Sequence, residues 1–144
     1  MSDRFDSVYM GTALLYARQS KAQRKKVGAV LVTNKGVLLP GYNGTPSGAS
    51  NECEDRVYSS DGEYTLVTKP EVIHAELNCV LKAAKEGISI VGSSLYVTLS
   101  PCETCAAMLV QAGVSSVSYL EQYRETKGID YLLSNGVRVS KIEL

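Results

Sequence analysis

The period of the apolar positions changes several times along the chain, and each change marks an element. Over about residues 4–20, Val8, Leu14 and Leu15 recur with small residues at Gly11, Ala13 and Ala17. This predicts a helix with one face packed closely against something flat. Lys21, Arg24, Lys25 and Lys26 then form a basic segment, after which residues 27–32 are an unbroken apolar run, read as a buried strand. Asn34-Lys35-Gly36 turns the chain and residues 37–42 return, so the pair is expected to be an antiparallel hairpin.

From Asn43 to about Pro70 the pattern dissolves, with Gly44, Pro46, Gly48, Asn51, Asp61 and Gly62 scattered through it. We expect a long loop, functional or disordered. Residues 71–85 predict a helix with Leu77, Val80, Leu81 and Ala84 on one stripe and Gly87 as its stop. The remaining pattern predicts a strand at 95–99, a helix at 102–112 closed by Gly113, a strand at 116–120, a short helix at 129–133 and a last strand at 137–142. A hairpin followed by strands alternating with helices implies an α/β fold: a mixed sheet flanked by helices, with residues 1–144 expected to form a single domain.

Charge narrows the partners. Fifteen basic and fifteen acidic residues give a formal net charge of zero, which argues against tracking long nucleic acid and leaves room for a small anion on a local basic patch. The sequence has no long apolar run and no leader-like cleavage site, so neither membrane insertion nor secretion is expected. Four cysteines are too few for a disulfide scaffold at this length, and the expected compartment is a reducing cytoplasm.

The candidate chemistry gathers in two short stretches, Ile73-His74-Ala75-Glu76-Leu77 and Ser100-Pro101-Cys102-Glu103-Thr104-Cys105. An imidazole, a carboxylate two residues on and a C-x-x-C pair after a proline form the H-x-E…P-C-x-x-C pattern of zinc-dependent base deaminases. Zinc favours nitrogen and sulfur donors, and a catalytic site keeps three protein ligands so that water takes the fourth place. His74, Cys102 and Cys105 supply those three. Pro101 suits the first turn of a helix, Cys102 and Cys105 at i and i+3 share a face, and a helix start stabilises thiolates. Glu76 is then the proton shuttle, taking a proton from the attacking water and returning it to the ring nitrogen and the departing ammonia. Residues at i and i+2 of an ideal helix point about 200° apart, so His74 must lie at the very start of its helix.

Other readings of these residues remain open. A closed structural zinc site could recruit Cys53 or Cys79 as fourth ligand, which would make the protein a non-catalytic interaction module. Cys102 and Cys105 could instead be a redox pair. A deaminase of another base or nucleoside, or of adenosine in transfer RNA, would keep the site and change the substrate; the neutral charge disfavours the RNA version.

Taken in order, Val27-Gly28-Ala29-Val30, Gly41-Tyr42-Asn43-Gly44-Thr45-Pro46-Ser47-Gly48, His74-Ala75-Glu76-Leu77-Asn78 and Ser100-Pro101-Cys102-Glu103-Thr104-Cys105 resemble the deoxycytidylate (dCMP) deaminase family of the cytidine deaminase superfamily. The compact length is similar to that of phage and bacterial members, for which a phage protein would act in the host cytoplasm. The resemblance implies a cytidine-deaminase-like three-layer α/β/α fold with a five-stranded mixed sheet. It implies hydrolysis of dCMP to dUMP and ammonia in the supply of dTMP precursors, with one catalytic Zn2+.

It also implies that Asn43 hydrogen-bonds the sugar or base, and that the backbone of Ala75 and Ser100 reads the pyrimidine edge. Members are typically hexamers activated by dCTP and inhibited by dTTP, often with Mg2+ on the triphosphate, and the effector contact is expected near Gly41, Tyr42, Asn43 and Gly44. For the substrate phosphate, strand ends and helix starts are where ligands gather, which nominates Arg24, Lys26 and Tyr123.

Overall fold

The computed structural model describes residues 4–144. In chain order the elements are α1 (Asp6–Ala17), β1 (Gly28–Val32), β2 (Leu38–Tyr42), β3 (Glu54–Tyr58), β4 (Tyr64–Thr68), α2 (Ala75–Glu86), β5 (Ser94–Leu99), α3 (Glu103–Ala112), β6 (Ser116–Glu121), α4 (Lys127–Ser134) and β7 (Arg138–Lys141). Five strands form one mixed sheet in the order β2-β1-β5-β6-β7, antiparallel across β2, β1 and β5 and parallel from β5 to β7.

Side chains alternate across this sheet and divide the core in two. Val30 and Tyr96 meet Met10 and Ala13 of α1 on one face. Ala29, Leu31, Leu95, Val97 and Val117 meet α2, α3 and α4 on the other. The result is the expected three-layer α/β/α arrangement.

Both helices nearest the hairpin approach the sheet through small residues: in α1 these include the expected Ala13 and Ala17, whereas the apolar stripe of α2 did not indicate them. In α1 the buried positions are Met10, Ala13 and Ala17, whereas Val8 and Leu15, expected to mark the packed face, are more than half exposed. In α2 the buried face is Ala75, Glu76, Cys79 and Ala83, and Leu81 is half exposed. Glycine permits this closeness. A Cβ on Gly28 would lie 1.9 Å from the Ala13 carbonyl oxygen and 2.5 Å from the Ala17 nitrogen. Gly28→Ala therefore forces α1 off the sheet. We expect a loss of about 3 kcal/mol and a melting midpoint lower by about 10 °C, read by thermal unfolding. A midpoint within a degree of wild type would show that α1 shifts freely.

The stretch expected to be one long loop, residues 43–70, contains the second sheet: β3 and β4 pair from Glu54 with Thr68 to Tyr58 with Tyr64. Its turn runs through Asp61 and Gly62, with Gly62 at φ +88°. Asp-Gly between β-formers such as Val57, Tyr58, Tyr64 and Val67 is a hairpin signal. Mostly exposed faces gave it no alternation to announce it. The hairpin is tied to the body of the protein, because the Glu54 carboxylate accepts hydrogen bonds from the backbone N–H groups of Gln23 (2.9 Å) and Arg24 (3.1 Å).

Candidate active site

Two helix starts on the same face of the sheet carry the expected ligands. His74 is the N-cap of α2 with extended backbone (φ −66°, ψ 152°), which is how His74 and Glu76 come to face one point despite their i, i+2 spacing. Cys102 is likewise the extended N-cap of α3. Pro101 thus sits just outside the helix rather than in its first turn, and its carbonyl packs against the start of α4 at Gly128.

The ligand atoms of His74, Cys102 and Cys105 lie within 4.8 Å of one another. His74 Nδ1 is 3.1 Å from Cys105 Sγ and 3.8 Å from Cys102 Sγ. Two thiolates and an imidazole around one tetrahedral zinc sit about 3.5 to 3.8 Å apart, so the donor set and its spacing fit that metal. Neither candidate for a fourth protein ligand belongs to the cluster among the described residues. Cys79 is buried against Gly41, where desolvation pushes its thiol up to about 12. Cys53 is also buried and lines the cavity described below without belonging to the ligand cluster.

Electrostatics divide the cysteines. Hydrogen bonds from Cys105 and His74 lower Cys102 to about 4, so it is a thiolate at neutral pH. The same bond to Cys102, then burial, raises Cys105. The His74 imidazole is raised, first by its hydrogen bond to Cys102 and then by Glu76, against a desolvation that lowers it. Glu76 is 3% exposed, with Oε1 3.7 Å from His74 Nδ1. Burial pushes its carboxyl above the usual range, with Cys105 and His74 pulling the other way.

This cluster forms part of the wall of a cavity of about 570 Å3. His74, Ala75, Glu76, Leu99, Ser100 and Cys102 line it from the helix starts and the end of β5. Val27 and Asn43 line it from the hairpin, and Glu121, Tyr123 and Arg124 from the end of β6. Ser100 organises the last wall: its N–H donates to the Glu121 carbonyl (2.9 Å) and its buried Oγ accepts from the Tyr123 N–H (2.7 Å). The Arg124 guanidinium lies over the Tyr123 ring at 5.5 Å.

Asn43 organises the opposite wall. Its Oδ1 accepts from the Val27 N–H (2.9 Å) and its Nδ2 donates to the Lys25 carbonyl (2.8 Å). Arg24 lines the cavity and donates to Thr68 Oγ1 of β4 (3.0 Å).

Not every nominated residue comes to this place. Lys26 does not line the cavity, whereas Lys25 does, with Nζ 2.6 Å from Glu121 Oε2. Lys25 lies in the wall with its neighbours Arg24 and Val27, whereas Lys26 is exposed and outside it. The four residues nominated for an effector were expected at a contact between subunits rather than in this cavity; of them Asn43 also lines the cavity. Gly41 is covered by α2, with a virtual Cβ 2.9 Å from the Ala75 carbonyl oxygen. The Tyr42 carbonyl accepts from Asn78 Nδ2, and Gly44 pairs with Ile73. Lys25, Glu121 and Glu54 were not foreseen; Glu121 follows from its place at the end of β6 and Lys25 from its place in the basic segment beside Arg24, and Glu54 only from the unforeseen hairpin.

A mixed five-stranded sheet whose helix starts bring a histidine and two cysteines together beside a buried glutamate defines the cytidine-deaminase-like α/β class. Residues 3–121 match the model of the cytidine and deoxycytidylate deaminase zinc-binding region. The deoxycytidylate deaminase of enterobacteria phage T4 is 33% identical over 174 aligned positions, covering 94% of this chain and 89% of that protein. The human deoxycytidylate deaminase is 36% identical over 121 positions, covering 82% of this chain and 66% of that protein. The crystal structure of dCMP deaminase from cyanophage S-TIM5, in complex with dCMP and dUMP, superposes with a TM-score of 0.85 at 46% identity over 99% of both chains. The chain belongs to the cytidine and deoxycytidylate deaminase family. No helix among the described residues is long and apolar enough to cross a membrane.

Proposed function

We propose that this protein hydrolyses dCMP to dUMP and ammonia, in one domain and with one zinc ion, as part of the supply of dTMP precursors. The observation that carries the proposal is the His74, Cys102 and Cys105 cluster with buried Glu76 beside it in the wall of one nucleotide-sized cavity. His74, Cys102 and Cys105 would hold the zinc, which would supply the Lewis acidity that makes water a nucleophile near neutral pH.

The chain's own groups do the rest. Glu76, whose carboxyl is raised by burial, takes a proton from the attacking water at Oε1. It gives that proton to the pyrimidine ring nitrogen, then takes the remaining proton from the hydroxyl now on C4 and gives it to the amino group, which leaves as ammonia as the C4–N bond breaks and C4=O forms. Ala75 and Ser100 present backbone polar groups to the pyrimidine edge, and Asn43 offers its amide to the sugar while holding the Lys25 to Val27 segment in place. Arg24, Lys25 and Tyr123 bind the phosphate.

The resemblance to dCMP deaminases supports further proposals: activation by dCTP and inhibition by dTTP with Mg2+ on the triphosphate, assembly as a hexamer, and action in the cytoplasm. An absorbance assay comparing dCMP, dCTP, deoxycytidine and adenosine, with and without dCTP and dTTP, tests both activity and regulation. We expect turnover of dCMP to exceed that of deoxycytidine by at least about 100-fold in kcat/KM, the scale of two charged phosphate contacts. Equal turnover of the two would remove the phosphate assignment, and preference for adenosine would remove the substrate.

A further inference from the structure

Three cations line the cavity outside the metal cluster, and they differ in what holds them. The Arg24 guanidinium donates to the neutral Thr68 hydroxyl, and the Arg124 guanidinium lies over the Tyr123 ring. Lys25 alone of the three is in an ion pair among the described residues, with Glu121 at 2.6 Å. Both backbones are fixed independently of that pair: Lys25 through its carbonyl on Asn43, Glu121 through its carbonyl on Ser100. The side chains themselves are 49% and 59% exposed, so the pair adds little to stability and its partners exchange readily. Glu54, the other carboxylate in this part of the wall, is engaged by backbone N–H groups and competes for none of the cations.

We infer that Glu121 sets how tightly the cavity holds a nucleoside monophosphate, by occupying the Lys25 ammonium when the phosphate is absent and repelling the phosphate when it is present. This rests on the reading of the cavity as a nucleotide site. A dianionic phosphate on Lys25 must displace the carboxylate, and stays within a few ångströms of it afterwards. Glu121 thus acts through Lys25 and positions no reacting atom. Its effect is to weaken the hold on phosphate, which keeps the product exchangeable and disfavours ligands carrying more negative charge.

The test uses the full zinc-loaded chain as wild type, Glu121→Gln, Glu121→Asp, Lys25→Met and the Lys25→Met/Glu121→Gln pair. Binding of dUMP and of deoxyuridine is measured by calorimetry, and dCMP turnover is followed separately. Glu121→Gln is expected to tighten dUMP by about tenfold, leave deoxyuridine unchanged and raise kcat/KM for dCMP through KM. Glu121→Asp retains the carboxylate and should resemble wild type. In the Lys25→Met background the gain should vanish.

The inference is overturned if Glu121→Gln changes dUMP binding by less than about threefold or weakens it. It is also overturned if deoxyuridine tightens equally or the gain survives without Lys25, and a chain that binds no dUMP in any variant overturns it as well. A wild type that binds dUMP with the expected variant pattern but leaves dCMP unreacted removes the proposed deamination and leaves this inference standing.

Discussion

Glu76→Gln is expected to lower kcat for dCMP by about 10^4-fold while zinc remains at one ion per chain. The reason is that one carboxylate is asked to move every proton in the reaction, and an amide of the same shape moves none. Its neighbours give no substitute. His74 and Cys102 would be metal-bound, and Ser100 already accepts the Tyr123 N–H. Folding should not suffer. Glu76 is buried and its carboxyl is held above the usual range by desolvation, so the neutral amide relieves a cost rather than adding one. Turnover, metal content and the melting midpoint measured on one preparation separate the possibilities. A variant with zinc, intact folding and more than about 1% of wild-type activity would take the proton-transfer role away from Glu76.

The reaction centre was readable because its spacing is a geometric statement. His74 and Glu76 two residues apart cannot converge on a regular helix, so the spacing itself demanded an extended N-cap, and the backbone at ψ 152° provides it. The five main strands were readable for the same kind of reason: apolar runs and alternation record which faces are covered. What failed had no such record. Alanine, glycine and cysteine bury closely but weigh little in an apolar pattern, so Leu81 looked like part of the packed face of a helix that in fact touches the sheet through Ala83. In α1 the small residues Ala13 and Ala17 pack as expected, while Val8 and Leu15 stay exposed. The β3 and β4 hairpin leaves most of its side chains in solvent, and only the Asp61-Gly62 turn spoke for it. The outer cavity wall is built from strand ends distant in sequence, and partners such as Lys25 and Glu121 become visible only when the sheet aligns them.

Removing the metal should unfold the site and expose how it titrates. Cys105→Ser replaces a buried thiol, and Cys102→Ser a half-buried one, with oxygens that bind zinc poorly. Each is expected to lose zinc and all measurable turnover. Saturating zinc at about 1,000 times its Kd stabilises the fold by about 4 kcal/mol, so either variant, or wild type treated with a strong chelator, should melt about 10 °C lower. Without metal, the two helix starts of the wild type keep the direct His74–Cys105 contact but lose the coordination that ties all three ligands together.

Zinc return should also carry a proton count. Cys102, held at about 4, is already a thiolate at neutral pH, whereas Cys105 is raised and keeps its proton until the metal arrives. His74, raised as well, gives up its proton if it holds one. Each zinc should therefore release at least one proton at neutral pH, that of Cys105, plus a further one from whatever share of His74 is protonated, and apparent affinity should rise with pH. Calorimetric zinc titration in two buffers of different ionisation enthalpy gives the count. Release of no proton would mean that both cysteines are thiolates before the metal binds, and that the single thiolate assigned to the pair is wrong.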